Sequence, residues 1–124
     1  MKINKDIVPS TIEKAVEEIC EALSEEDRKF ILNDQSKGAS IHFSIGKYLR
    51  NEWSLWSPDS PLKRDAVEKY SIAHADDISG LILSWVYAKV KEEEFNPIKE
   101  VNIYHKHWES FGLNSLEAGG WPPK

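Results

Sequence analysis

The chain has 124 residues, 40% of them hydrophobic and 30% charged, and a formal net charge of −5. That length and composition predict a single domain, residues 1–124, around one buried core. They exclude a general nucleic-acid binder, which needs a basic surface, and a membrane-spanning protein, because no apolar run approaches the ~20 residues that cross a bilayer. Cys20 is the only cysteine, so neither an intrachain disulfide nor a cysteine-based zinc site is available. The opening residues Met1 to Asp6 carry no apolar signal core, which sets the cytoplasm as the expected location.

The first element is the clearest. Ser10 and Glu13 fit a capping box, and Ile12, Ala15, Val16, Ile19, Ala22 and Leu23 recur at helical spacing behind it. Glu13, Glu17, Glu18 and Glu21 occupy the opposite face, and Cys20 falls near the apolar edge as a packed thiol. Ser24-Glu25-Glu26-Asp27 starts a second helix, closed by the turn-rich Asn33 to Gly38. A third helix runs from Ala39 to about Trp53, with His42, Gly46, Leu49, Arg50 and Trp53 sharing a face. Gly46 sits where an alanine would favour the helix by ~1 kcal/mol, which often marks close approach by a neighbour.

Beyond the loop at residues 54–61, Ser60-Pro61 reads as a cap followed by proline at the first helical position, opening a helix to about Tyr70. After Ser71 to His74, Asp76 and Asp77 suit the first turn of the longest helix, in cap and dipole roles. Its core face is expected to be Ile78, Leu81, Ile82, Trp85 and Lys89, and its end to lie around Glu92 to Glu94. Asn96-Pro97 opens a last helix with Ile98, Val101, Tyr104, Trp108 and Phe111 in register, ended by Gly112; residues 101–104 also fit a strand. The tail, 113–124, with Gly119-Gly120-Trp121-Pro122-Pro123, is expected to be irregular. The fold class is therefore all-α: a compact single-domain bundle of five or six short helices.

The string from His42 to Trp56 resembles a family of small bacterial proteins of unknown function. Their pattern is H-F-x-x-G-x-x-x-R-N-x-x-x-L-W, followed by D-D-x-S. Here it is carried by His42, Phe43, Gly46, Arg50, Asn51, Leu55 and Trp56, then Asp76, Asp77 and Ser79. The resemblance covers roughly residues 8–108 and departs at Ala75, where the family has proline. It implies a compact helical domain and no particular activity.

Those residues form the most suggestive polar set. In a small enzyme or ligand-binding domain, His42 is a candidate general base, Arg50 an anion clamp, and Asp76 or Asp77 the group orienting the histidine. The competing architectural reading, which the absence of a nucleophile favours, pairs Arg50 with Asp76 or Asp77 across two helices and gives His42 a backbone partner. Adjacent positions on a helix diverge by about 100°, so Asp76 and Asp77 are not an acid/base pair. His105 and His107 share a face only on a strand; on a helix they diverge, and no metal site or cofactor is expected. Trp53, Trp56, Trp85 and Trp108 fit packing positions. Trp121 either folds back or anchors a partner.

The charge distribution is the leading functional signal. Between Glu13 and Asp27 lie seven acids and one base, a net of −6, so the rest of the chain is nearly balanced. The bland account is a solvated face; the sharper one is electrostatic steering toward a basic protein. The expected function is a non-catalytic protein-binding domain, of the immunity or antitoxin-like inhibitor type, contacting its partner through Glu13, Glu17, Glu18, Glu21 and Glu25 with Trp121. A helical dimerisation module using Trp121 or the last helix is a third reading.

Overall fold

The computed structural model describes residues 8–36 and 39–123, with the backbone alone for 39–44. Its described residues form seven helices and no strand: α1 (Ile12–Ala22), α2 (Glu25–Leu32), α3 (Ala39–Glu52), α4 (Pro61–Tyr70), α5 (Ala75–Val90), α6 (Pro97–Glu109) and α7 (Ser115–Ala118). The all-α expectation holds, and the strand alternative at 101–104 does not. The tail is less irregular than expected, because Asn114 caps α7 by accepting from the Glu117 amide. Among the described residues no helix is long and apolar enough to cross a membrane.

Local chemistry sets the helix ends. Ser24 and Asp27 form a reciprocal capping box at α2, Ser24 Oγ accepting from the Asp27 amide and Asp27 from the Ser24 amide. Ser60 caps α4 with Pro61 behind it, and Ser71 closes that helix in the left-handed region at φ 55°. The start of α1 differs from the sequence expectation: Thr11, not Ser10, is the N-cap. Glu13 does not reach back to the cap. Its carboxylate accepts from Tyr70 Oη at 2.8 Å and Lys69 Nζ at 2.9 Å, so it ties α1 to α4. Asp65 extends the tie by accepting from the Ile12 amide at 2.8 Å.

At the centre lies α5, packed against α1, α2, α3, α4 and α6. An apolar stripe on one side was expected; burial extends around most of the helix, through Gly80, Leu83 and Ala88 as well as Ile78, Leu81, Ile82 and Val86. A helix surrounded by others has no solvent face to keep polar, which erases the 3.6-residue alternation. Trp85 and Lys89 leave the core at its far end, Trp85 half-buried against Phe95 and Lys89 exposed, and the helix stops at Val90. The core is completed by Ile12, Val16 and Ile19 of α1, Ile31 of α2, Leu49 and Trp53 of α3, Leu55, and Leu62 and Ala66 of α4. Each large apolar side chain so buried favours the fold by roughly 1.5–3 kcal/mol.

By contrast α6 is shallow. Val101 is fully buried, while Ile98 and Phe111, expected on the same core stripe, are 54% and 67% exposed. Helical register was right there and full burial was not: α6 meets α5 along a narrow line, with Tyr104 and Trp108 half-buried beside it.

Candidate functional site

The described part of the polar string gathers where the last turns of α3 meet the first turns of α5. Arg50 reaches across this seam. Its Nη1 donates to Ser79 Oγ at 3.0 Å, and its Nε lies 3.2 Å from Asp76 Oδ1. Ser79 Oγ in turn donates to the Asp76 carbonyl at 3.2 Å. Gly46, one turn before Arg50, is the gap that admits the guanidinium: a Cβ built there would stand 3.0 Å from Arg50 Nη1 and 3.4 Å from Leu83 Cδ1. Gly46, Arg50, Asp76 and Ser79 therefore form one interlocking set, and its arrangement matches the architectural pairing anticipated for Arg50. Asn51 is exposed on the outer side of α3. His42 lies on α3, but its side chain falls outside the described residues.

The two aspartates diverge as helix geometry requires. Asp76 is 61% exposed and faces Arg50. Asp77 is 8% exposed and accepts from Trp108 Nε1 of α6 at 2.8 Å. Burial pushes the Asp77 carboxyl above the ordinary carboxylate range, against the opposing effect of the Trp108 bond. Both stand in the first turn of α5, where the helix dipole favours them as expected, but neither is the N-cap. That role falls to His74, its Nδ1 accepting from the Asp76 amide at 3.1 Å. That bond places the ring proton on Nε2 when His74 is neutral.

Around this entry the rings form a continuous row. His74 contacts the Trp56 edge at 5.7 Å between centroids and the Trp108 ring at 5.4 Å; Trp108 then meets His107 at 4.9 Å, and His107 meets Phe111 at 5.3 Å. Trp56, expected in the core, is 56% exposed at one end of the row. The loop carries it outward, while Leu55 beside it takes the buried position. His105 turns the other way, its Nδ1 2.5 Å from Ser115 Oγ, so the two histidines of the H-x-H string diverge. His74 and Trp108 are the site residues that periodicity did not single out. The signal that points to His74 is its place immediately before Ala75 and the two aspartates, where a side-chain acceptor caps a helix.

A second surface runs along α1 and α2. Glu17, Glu21, Glu25 and Glu26 are exposed, and among the described residues none of them forms an ion pair. Burial, reinforced by Glu21, raises the Glu18 carboxyl above its ordinary range. Glu13, expected on this face, is held below its usual range because the bonds from Lys69 and Tyr70 outweigh its own partial burial. Cys20 is half-buried and burial raises its thiol, as befits a packing residue. Trp121 folds back: its amide donates to the Leu116 carbonyl at 2.9 Å, and its side chain lines a groove of about 490 Å³ with Pro58, Asp59, Arg64, Glu68 and Pro123.

An all-helical domain keyed by an arginine–aspartate–serine seam between α3 and α5 is the class these observations define. The chain belongs to the DUF6794 family, a domain of unknown function, which it matches over residues 8–90. That span includes α1 to α5 and stops at the end of α5, short of the region around Trp108 that the sequence resemblance reached. Neither the curated proteins nor the solved structures contain a match.

Proposed function

We propose that this chain is a non-catalytic binding module for a basic protein, of the immunity or antitoxin-like inhibitor type, and that the acidic face of α1 and α2 receives the partner. The observation that carries the reading is the set Glu17, Glu21, Glu25 and Glu26, exposed and without an ion pair among the described residues. A field of one sign accelerates encounter with an opposite surface and weakens as salt screens it. Glu13 leaves the contact set, since Lys69 and Tyr70 hold it. Trp121 stays in it, half-buried beside an open groove.

The test is capture from the native source at low and moderate salt, followed by association kinetics with the captured protein. A basic partner whose association rate falls at least tenfold with Glu17→Lys, Glu21→Lys and Glu25→Lys combined supports the reading. Unchanged kinetics would remove it.

The second reading, a ligand-binding or catalytic site, draws support from the buried Asp77 carboxylate, with His74 and His107 close enough to favour its charged form. Arg50 is a weaker candidate for an anion clamp, because Ser79 and Asp76 already engage two of its nitrogens. A ligand screen by thermal shift separates the two readings: a ligand lost in Asp77→Asn, with the acidic-face variant unaffected, favours the site.

A further inference from the structure

We propose that residues 97–123 form a detachable strap across the entry of α5, with Trp108 as its latch. This inference does not depend on the acidic face. Its first ground is cohesion. The strap holds itself together through the His105–Ser115 contact between α6 and α7 and through the Trp121 amide on the Leu116 carbonyl. It therefore moves as one piece.

The second ground is shallow docking. Between Lys91 and Pro123 only Val101 and Ser115 are fully buried, whereas most of α5 is. Segments with few buried apolar contacts open at a lower free energy than the global one. Val101 and Tyr104 pack on the core and Trp121 lies by α4, while several further attachments gather on one short stretch, 73–77. Trp108 bonds Asp77 and lies against His74. Gly119 sits so close to the chain there that a Cβ would stand 2.2 Å from the Ala73 carbonyl carbon and 2.3 Å from the His74 nitrogen.

The third ground is that the latch works against itself. Closing the strap brings Trp108 Nε1 to Asp77, yet it also strips water from that carboxylate, and burial dominates. A bond opposed by the desolvation of its own acceptor holds weakly. The family match ends with α5, and the strap follows it in the chain. Opening uncovers the Asp77 carboxylate and one face of His74, next to the Arg50–Asp76 pair.

Native-state hydrogen exchange on the full chain tests this, compared with Trp108→Phe, which keeps a ring and loses the donor, and Asp77→Asn, which keeps an acceptor and loses the charge. The expected result is that α6 and α7 amides exchange while α1 and α5 stay protected. Trp108→Phe should speed α6 and α7 at least tenfold with α5 unchanged, and Asp77→Asn should slow them. The proposal is overturned if α5, α6 and α7 share one exchange rate in the wild-type chain and in Asp77→Asn, since the strap is then part of a single cooperative unit.

Discussion

Asp77 and Glu13 are two carboxylates that the fold treats in opposite ways, and their pH signatures oppose each other. Burial raises Asp77, so folding binds a proton more tightly than the unfolded chain does. Its contribution is most favourable below the ordinary aspartate range and is lost as pH climbs through the raised value. Glu13 is lowered by Lys69 and Tyr70, so its stabilisation is present above the ordinary glutamate range and is lost as pH falls below it. The wild-type acid limb is therefore blunted. Asp77→Asn should raise stability at neutral pH by roughly 1 kcal/mol, since a buried charge goes and an acceptor stays. It should also steepen acid unfolding, because the raised Glu18, and no longer Asp77 as well, then opposes the Glu13 effect. Thermal melts from pH 3 to 8 check both signs; a lower neutral Tm in Asp77→Asn would show that the charge itself holds Trp108. Trp53 poses a different question. It is fully buried and its Nε1 finds no hydrogen-bond acceptor among the described residues. Because an unmet donor is itself a cost of about 1–3 kcal/mol, Trp53→Phe should destabilise far less than the ~3–5 kcal/mol typical of truncating a core tryptophan to alanine. Chemical denaturation of the two variants gives the comparison.

Helices were legible in the sequence where their signals were local. The box at Ser24 and Asp27, the Ser60-Pro61 start and the Asn96-Pro97 start each need only a few adjacent residues, and all three stand in the structure. Faces were harder. On α5 Ile78, Leu81 and Ile82 are buried as expected, but neighbours cover most of the circumference and Trp85 and Lys89 lie outside the core; on α6 Val101 is buried, while too little packs against Ile98 and Phe111 to cover them. Pairing across elements was legible only for Arg50 with the aspartates that open α5; the parts of Gly46 and Ser79 in it were not. The seam itself can be tested as a unit. Gly46→Ala gains helix propensity of ~1 kcal/mol but presses a methyl toward Arg50 Nη1, at a cost similar to losing its bond to Ser79, about 0.5–1.5 kcal/mol. The single variant should be close to neutral. In an Arg50→Ala background the pressure is gone, and Gly46→Ala should stabilise by most of that ~1 kcal/mol. A double-mutant cycle by denaturation reads the coupling; strict additivity would mean that the glycine does not serve the arginine.

Charge is uneven across the whole molecule, with an acidic segment on α1 and α2 and a nearly neutral remainder. That asymmetry was legible from the sequence as a count. Which acids are available was not, because the link from Glu13 to Lys69 and Tyr70 spans more than fifty residues and leaves no local mark. What remains exposed is arranged at some cost to the helix. Glu17 and Glu21 are four apart, and like charges at that spacing destabilise a helix by a few tenths of a kcal/mol. Glu21→Lys replaces this repulsion with a glutamate-to-lysine pair in the favoured order. It should raise stability by about 0.5 kcal/mol at low salt, and the gain should shrink as ionic strength rises. The same substitution should slow association with a basic partner and flatten its salt dependence. A variant that is more stable but binds more slowly shows that the acidic face serves recognition and not folding. One that is more stable and binds unchanged leaves the face a solvated surface, and attention then moves to the α5 entry, where Asp77 is the residue to follow.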